Sequence, residues 1–284
     1  MIQQAPTELA EEFFSGVKSL SFLRLDLPDP IAGGNKSYKL KYHLEAFRNS
    51  AAGSILSFGG AYSNHIAALA YAGKVNNIPT IGIVRGEELN QDSNSVLRFA
   101  SECGMQLHFV TREDYRLKQD TEFLNRLGEK FGAVCVVPEG GGGSAGVRGC
   151  REILSEECDA FEEIILPVGT GTTMVGIIQT AKRHQVVNGI EVVADHSLKD
   201  NIAQMLNEDV SCSWNLTHDF TMGGYANTSD ELDEFIITMK KRLGLPLDHV
   251  YSGKALFALH KEADSGRYRD KNVLMIHTGG YAFL

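Results

Sequence analysis

The sequence predicts an α/β protein with two open, mostly parallel twisted sheets and flanking helices. Three observations carry this. Short apolar runs recur along nearly the whole chain, amphipathic helical stretches separate them, and glycine-rich connections follow several of the runs. The runs lie at 54–58, 80–84, 105–110, 133–137, 163–168, 191–194 and 273–277. Helical patterns lie between them at 65–73, 121–131 and 230–243, the last opening with Thr228-Ser-Asp-Glu231, which fits a capping box. The spacing of the runs suits two sheets better than one, although no shift in composition marks a boundary.

With 284 residues, 43% of them hydrophobic, the chain can bury a large core. The formal net charge is −9 and the basic residues are scattered, which argues against nucleic acid and anionic membrane surfaces as partners. Five cysteines, without CxxC spacing, suit a reducing compartment and indicate neither a disulfide framework nor a metal site. Residues 1–9 show neither the basic nor the apolar region of a secretory signal, and no apolar run approaches transmembrane length. A cytoplasmic protein is expected.

The run Ile31-Ala-Gly33-Gly34-Asn35-Lys36-Ser37-Tyr38-Lys39-Leu40 places a lysine at or near the first turn of a helix, after a close-approach turn. Backbone N–H groups already make that end positive, and Lys39 lies three residues on, on the same face. Both effects favour the neutral amine that attacks a carbonyl, so Lys36 is a candidate Schiff-base lysine, the alternative being a solvated side chain in a glycine loop.

Four glycine-rich loops follow predicted strands, at the strand ends where such sheets bind ligands. Gly59-Gly60-Ala-Tyr62-Ser63-Asn64-His65 would put Ser63 and Asn64 at a helix N-terminus, to hold a carboxylate or phosphate or simply to cap the helix. Gly169-Thr170-Gly171-Thr172-Thr173 combines two glycines with three hydroxyls and reads as a phosphate cradle. A dinucleotide loop is its rival, with Asp195 as the ribose acid, but Met174 stands where the third glycine belongs. Gly140–Gly143 and Thr278-Gly279-Gly280 could each be a tight turn. Together the four suggest backbone packed around a planar anionic cofactor.

These segments resemble the fold type II pyridoxal-phosphate enzymes, whose fold is like that of the tryptophan synthase β chain. The branch they resemble contains 1-aminocyclopropane-1-carboxylate deaminase and D-cysteine desulfhydrase. Gly33-Gly-Asn-Lys36-x-x-Lys39-Leu40 is similar to the cofactor-lysine motif, 57–65 to the segment that stacks under the ring and holds the substrate carboxylate, and 169–173 to the phosphate loop. Val250-Tyr251-Ser252-Gly253-Lys254 and His277-Thr278-Gly279-Gly280 are similar to two late motifs. The resemblance implies a large cofactor domain at 1–42 and 138–284 with a smaller α/β domain at 43–137 inserted in it. It implies that Lys36 bonds the cofactor, Lys39 reaches its phosphate and Asn64 its phenolic oxygen, and that Ser63 binds or deprotonates the substrate. Tyr225 and Tyr251 would be the paired active-site tyrosines, with His65 beside the substrate. A small amino-acid substrate and a homodimer follow as expectations.

The departures are informative. The chain is shorter than typical members, 23–27 only weakly echoes their usual Lys-Arg-Glu-Asp segment, and Tyr38 replaces an arginine. At the positions of Ser252 and Thr278 the cyclopropane deaminases carry a glutamate and a leucine. A hydroxyl facing an unprotonated ring nitrogen makes a weaker electron sink than a carboxylate would. The resemblance therefore implies β-elimination from D-cysteine, with ring opening of the cyclopropane substrate, or a non-catalytic anion-binding protein, as alternatives.

Overall fold

The computed structural model describes residues 7–9, 16–28, 33–206 and 209–280. In chain order the elements begin with β1 (Thr7–Leu9), β2 (Ser19–Arg24), α1 (Asn35–Arg48), β3 (Ser54–Gly59), α2 (Asn64–Asn76), β4 (Thr80–Arg85), α3 (Ser95–Glu102) and β5 (Gln106–Val110). They continue with α4 (Arg112–Arg116), α5 (Thr121–Phe131), β6 (Val134–Val137), a 3-10 turn (Glu139–Gly141), α6 (Gly143–Cys150), a second 3-10 turn (Glu156–Ala160) and β7 (Glu163–Val168). The last are α7 (Thr172–Ile178), β8 (Val186–Glu191), α8 (Leu198–Leu206), β9 (Ser213–Thr217), α9 (Asp230–Leu243), α10 (Ser252–Asp264) and β10 (Asn272–His277). The chain divides into two compact units: residues 36–149 form one, and the segments before 36 and from 150 onward form the other.

The 36–149 unit holds a four-stranded sheet, ordered β5-β4-β3-β6 and wholly parallel. Successive residues of β3 point to opposite faces. Ile55 packs into a cluster with Ile66 and Leu69 of α2, while Leu56 and Phe58 pack with Phe123 and Leu127 of α5. Both faces are covered, which is why the runs read as continuously apolar.

The other unit holds a six-stranded sheet, ordered β1-β2-β10-β7-β8-β9 and parallel except for the β1–β2 pair. The α9 and α10 helices cover one face, with Ile236 and Leu256 packing against Leu20, Ile165 and Met275. The β2–β10 register sets Arg24 opposite His277 at the carboxyl end of the sheet.

Three expectations need correction. The run at 191–194 is not a strand: β8 ends at Glu191. Asn188 and Gly189 lie inside β8. A Cβ on Gly189 would sit 2.5 Å from Met174 Sδ, so the close helix–strand contact is made by a glycine on the strand and a methionine on the helix. The cap of α9 is Ser229, whose Oγ accepts from Leu232 N–H at 3.2 Å, not Thr228, which instead donates to Asp233. Asp195 lies four residues beyond the end of β8, not at a strand end, and makes a local turn with Ser197.

Candidate active site

In the 36–149 unit the site residues cluster at the start of α1 and around the loop after β6. Lys36 is half-buried in the first turn of α1, a turn that carries no acidic residue. Tyr38 is buried and does not face solvent. Lys39 is buried too, and its Nζ donates to Gly140 O at 3.1 Å, while His43 Nε2 donates to Gly142 O at 2.9 Å. The third glycine loop is thus bound to α1 by a lysine and a histidine. Gly141 is required there: at φ 71 its Cβ would meet Lys39 Cβ at 3.1 Å and the His65 ring at 3.4 Å.

Ser63 caps α2, accepting from Ile66 N–H at 3.3 Å, and a Cβ on Gly59 would lie 2.6 Å from its hydroxyl. Asn64 follows as the first residue of α2, half-buried. His65 is 2% exposed. Ser57 Oγ donates to Val137 O at 2.8 Å, so its contact with His65 Nε2 at 2.7 Å is one in which the imidazole N–H donates. Nδ1 is then a bare lone pair, buried and without a hydrogen-bond partner. Burial, followed by the charges of Lys36, Lys39 and His43, holds the His65 pKa well below its ordinary value, so the ring is neutral.

In the other unit, Gly171 takes φ 77 at the start of α7, and its Cβ would meet Ile202 at 2.7 Å. A Cβ on Gly169 would meet Tyr251 at 3.4 Å. Thr170 Oγ1 lies 3.3 Å from Thr172 Oγ1, and Asn35 Nδ2 donates to Thr173 Oγ1 at 2.9 Å. Asn35 N–H also donates to Thr278 O at 3.0 Å, and Gly34 (φ 72) packs its backbone on Gly279 (φ 74). The residue before Lys36 is therefore tied to both the 169–173 loop and the loop after β10.

Tyr225 and Tyr251 meet edge to face, with centroids 6.2 Å apart. Ser252, at the start of α10, is fully buried. Its Oγ donates to Asp248 Oδ2 at 2.6 Å and accepts from Asp248 N–H at 2.9 Å. The remaining capacity of the Asp248 carboxylate goes to the Val250, Tyr251 and Ser252 N–H groups. The hydroxyl expected to donate outward gives its proton to Asp248.

Sequence reasoning missed three groups here: Asp248, Lys254, and the buried Arg24–Asp26 pair. That pair is bidentate, at 2.8 and 2.6 Å, with His277 Nδ1 3.1 Å from Asp26. Its signals were the weak echo of the family's Lys-Arg-Glu-Asp segment at 23–27 and two charges, Arg24 and Asp26, at the end of an apolar run, and Asp248 four residues before Ser252 has the spacing of an extended cap.

Each unit by itself carries groups that suit part of a planar phosphate ester with an aldehyde. In one, Gly169 and Gly171 bring the backbone close to Tyr251 and Ile202 at the start of α7, where three threonine hydroxyls and the helix's first N–H groups suit a phosphate; in the other, Lys36 supplies an amine and His65 Nδ1 is an orphaned buried acceptor.

The profile of the pyridoxal-phosphate-dependent enzymes matches residues 2–279. A Thermotoga maritima protein named as a candidate 1-aminocyclopropane-1-carboxylate deaminase is 30% identical, over 90% of this chain and 87% of its own length. A mitochondrial bifunctional D-cysteine desulfhydrase/1-aminocyclopropane-1-carboxylate deaminase of Arabidopsis thaliana is 30% identical, over 87% of this chain and 68% of its own. In fold, the chain is similar to a crystal structure of an ACC deaminase homologue, with TM-score 0.81 and 24% identity over 99% of this chain and 90% of that one. The chain belongs to the pyridoxal-phosphate-dependent enzyme family.

Proposed function

We propose that this enzyme is a lyase or deaminase of small amino acids, and that it eliminates sulfide from D-cysteine to leave pyruvate and ammonia. The observation that carries the substrate choice is the pair of neutral hydroxyl residues, Ser252 and Thr278, where a cyclopropane deaminase would have a carboxylate and an alkyl group.

When bound, pyridoxal phosphate supplies a carbonyl for an amine to attack and a conjugated ring that accepts electrons. Lys36 Nζ would hold it, the 169–173 backbone and threonine hydroxyls would bind its phosphate, and Asn64 its phenolic oxygen. Lys39, engaged with Gly140 O, would act on the phosphate by its charge. Lys36 Nζ is assigned as the base that takes the α-proton. Ser63 Oγ already accepts from Ile66 N–H and retains a proton to donate, so it suits binding a carboxylate better than removing a proton. Tyr225 and Tyr251 would orient the substrate and hold a proton at their hydroxyls for the leaving group.

One observation favours ring opening of 1-aminocyclopropane-1-carboxylate as a second reading. With its proton given to Asp248, Ser252 offers a lone pair, which suits a protonated ring nitrogen and hence a stronger electron sink. Parallel assays of the pyridoxal-phosphate-loaded enzyme decide between them. Sulfide and pyruvate from D-cysteine support the first reading. 2-Oxobutanoate from the cyclopropane acid, with no sulfide, supports the second. A homodimer in the cytoplasm completes the proposal, and sedimentation tests the dimer. Among the described residues no helix is long and apolar enough to cross a membrane.

A further inference from the structure

Lys254 has no part in the reading above, and it is fully buried. Its Nζ donates to Thr221 O at 2.7 Å and Gly224 O at 2.8 Å, with Val192 O at 3.5 Å. The ammonium thus sits among three backbone carbonyls. Burial lowers its pKa from the ordinary value, and the charge of Asp248 opposes that shift. A cation so enclosed is costly unless its N–H groups are satisfied, and here the carbonyls satisfy them.

What it holds is a pair of consecutive turns. Gly224 N–H donates to Thr221 O at 3.0 Å, and Asn227 N–H donates to Gly224 O at 3.3 Å. The ammonium lies on the first carbonyl of each turn. Inside them Met222 takes φ 54 and Ala226 φ 60, and Ala194, close after Val192, takes φ 53. Non-glycine residues in this left-handed region cost about 1–2 kcal/mol each, and they persist where surrounding contacts fix them. Tyr225 lies between the strained residues at the head of the second turn and is 43% exposed. Its ring meets Tyr251, which immediately precedes the helix that carries Lys254.

We infer that Lys254 is a positioning residue: a built-in monovalent cation whose carbonyl cage fixes the double turn that presents Tyr225 beside Tyr251. Its effect on turnover rests on the reading of Tyr225 as substrate-facing; its effect on the turns does not. With the side chain truncated, the carbonyls become a site of matching charge and size for potassium or ammonium.

Hydrogen exchange on the unaltered holoenzyme is the first test. The Gly224 and Asn227 amides will exchange as slowly as those of α10, although Tyr225 is exposed. Exchange as fast as at Ser93, whose exposed turn has the same bond to Asn90 O but no lysine, overturns the inference. In Lys254→Ala, which empties the cage, those two amides will exchange faster. In the same variant kcat/KM, measured with D-cysteine and with 1-aminocyclopropane-1-carboxylate, will fall about 100-fold. Adding Tyr225→Ala will lower it no further. Potassium or ammonium chloride will restore protection and rate, and tetramethylammonium chloride at equal ionic strength will not. Unchanged exchange in the variant, or a loss that neither small cation reverses, overturns the built-in cation. If the unaltered enzyme turns over neither substrate, the proposed function fails, while the exchange results still judge Lys254.

Discussion

At the scale of single residues, the chemistry depends on which atoms still have a proton or a lone pair to offer. Lys36→Ala should remove the visible absorbance of bound cofactor and lower turnover at least about a thousandfold, since under the proposed function it takes away both the attachment and the base. Absorbance and rate that survive the change would place the reactive amine elsewhere. His65 presents a bare Nδ1 because Ser57 fixes its tautomer. Ser57→Ala should therefore raise KM about tenfold with little change in kcat, as expected for uniform binding, whereas an equal fall in kcat and kcat/KM would assign His65 to the reaction's transition state. Ser252→Glu would set a second carboxylate against Asp248 in a fully buried cap. That like-charge contact predicts that the switch towards the cyclopropane substrate, made together with Thr278→Leu, also needs Asp248→Asn.

At the scale of elements, close backbone approach is what the glycine-rich loops provide. A Cβ on Gly34 would lie 2.1 Å from Thr278 O, whereas Gly104, also left-handed at φ 88, has open space around it. Gly34→Ala should thus destabilise by more than the roughly 1–2 kcal/mol expected for Gly104→Ala from conformation alone, and should weaken cofactor retention. Equal losses in the two variants, measured by denaturant titration, would show that the Gly34–Thr278 packing carries no weight. The Arg24–Asp26 pair closes the same end of the sheet. Arg24→Ala leaves Asp26 buried without its ion-pair partner and should cost about 3–5 kcal/mol.

At the scale of the whole molecule, the buried titratable groups set the dependence of stability on pH. Burial, reinforced by neighbouring lysines, lowers the pKa of His65 and His43 below 6.5 in the folded state. The unfolded chain then binds the extra protons first, so stability falls as pH drops below about 6.5. Burial would raise the Asp26 carboxyl, but hydrogen bonds from Arg24 and His277 overcome this and hold it well below the usual carboxylate range. Its contribution is present above about pH 4 and is lost as pH falls through the folded value. In unfolding free energies measured from pH 7 to 3, one loss is expected from below about pH 6.5 and the onset of a second near pH 4, and His65→Gln should diminish the first alone.

The sequence by itself determined the two parallel sheets, the family and the lysine segment, because apolar runs and glycine spacing are local signals that survive without a fold. It misplaced the strand at 191–194: β8 runs from Val186 to Glu191 and includes Asn188 and Gly189, which interrupt the apolar pattern and are accommodated only because Met174 fills the space that glycine leaves. It could not show that Ser252 gives its proton to Asp248, that Ser57 fixes the His65 tautomer, or that Lys254 holds the turns around Tyr225. Each of these depends on a partner brought close by folding, and whether a buried proton or charge is satisfied can be read only where the partners meet.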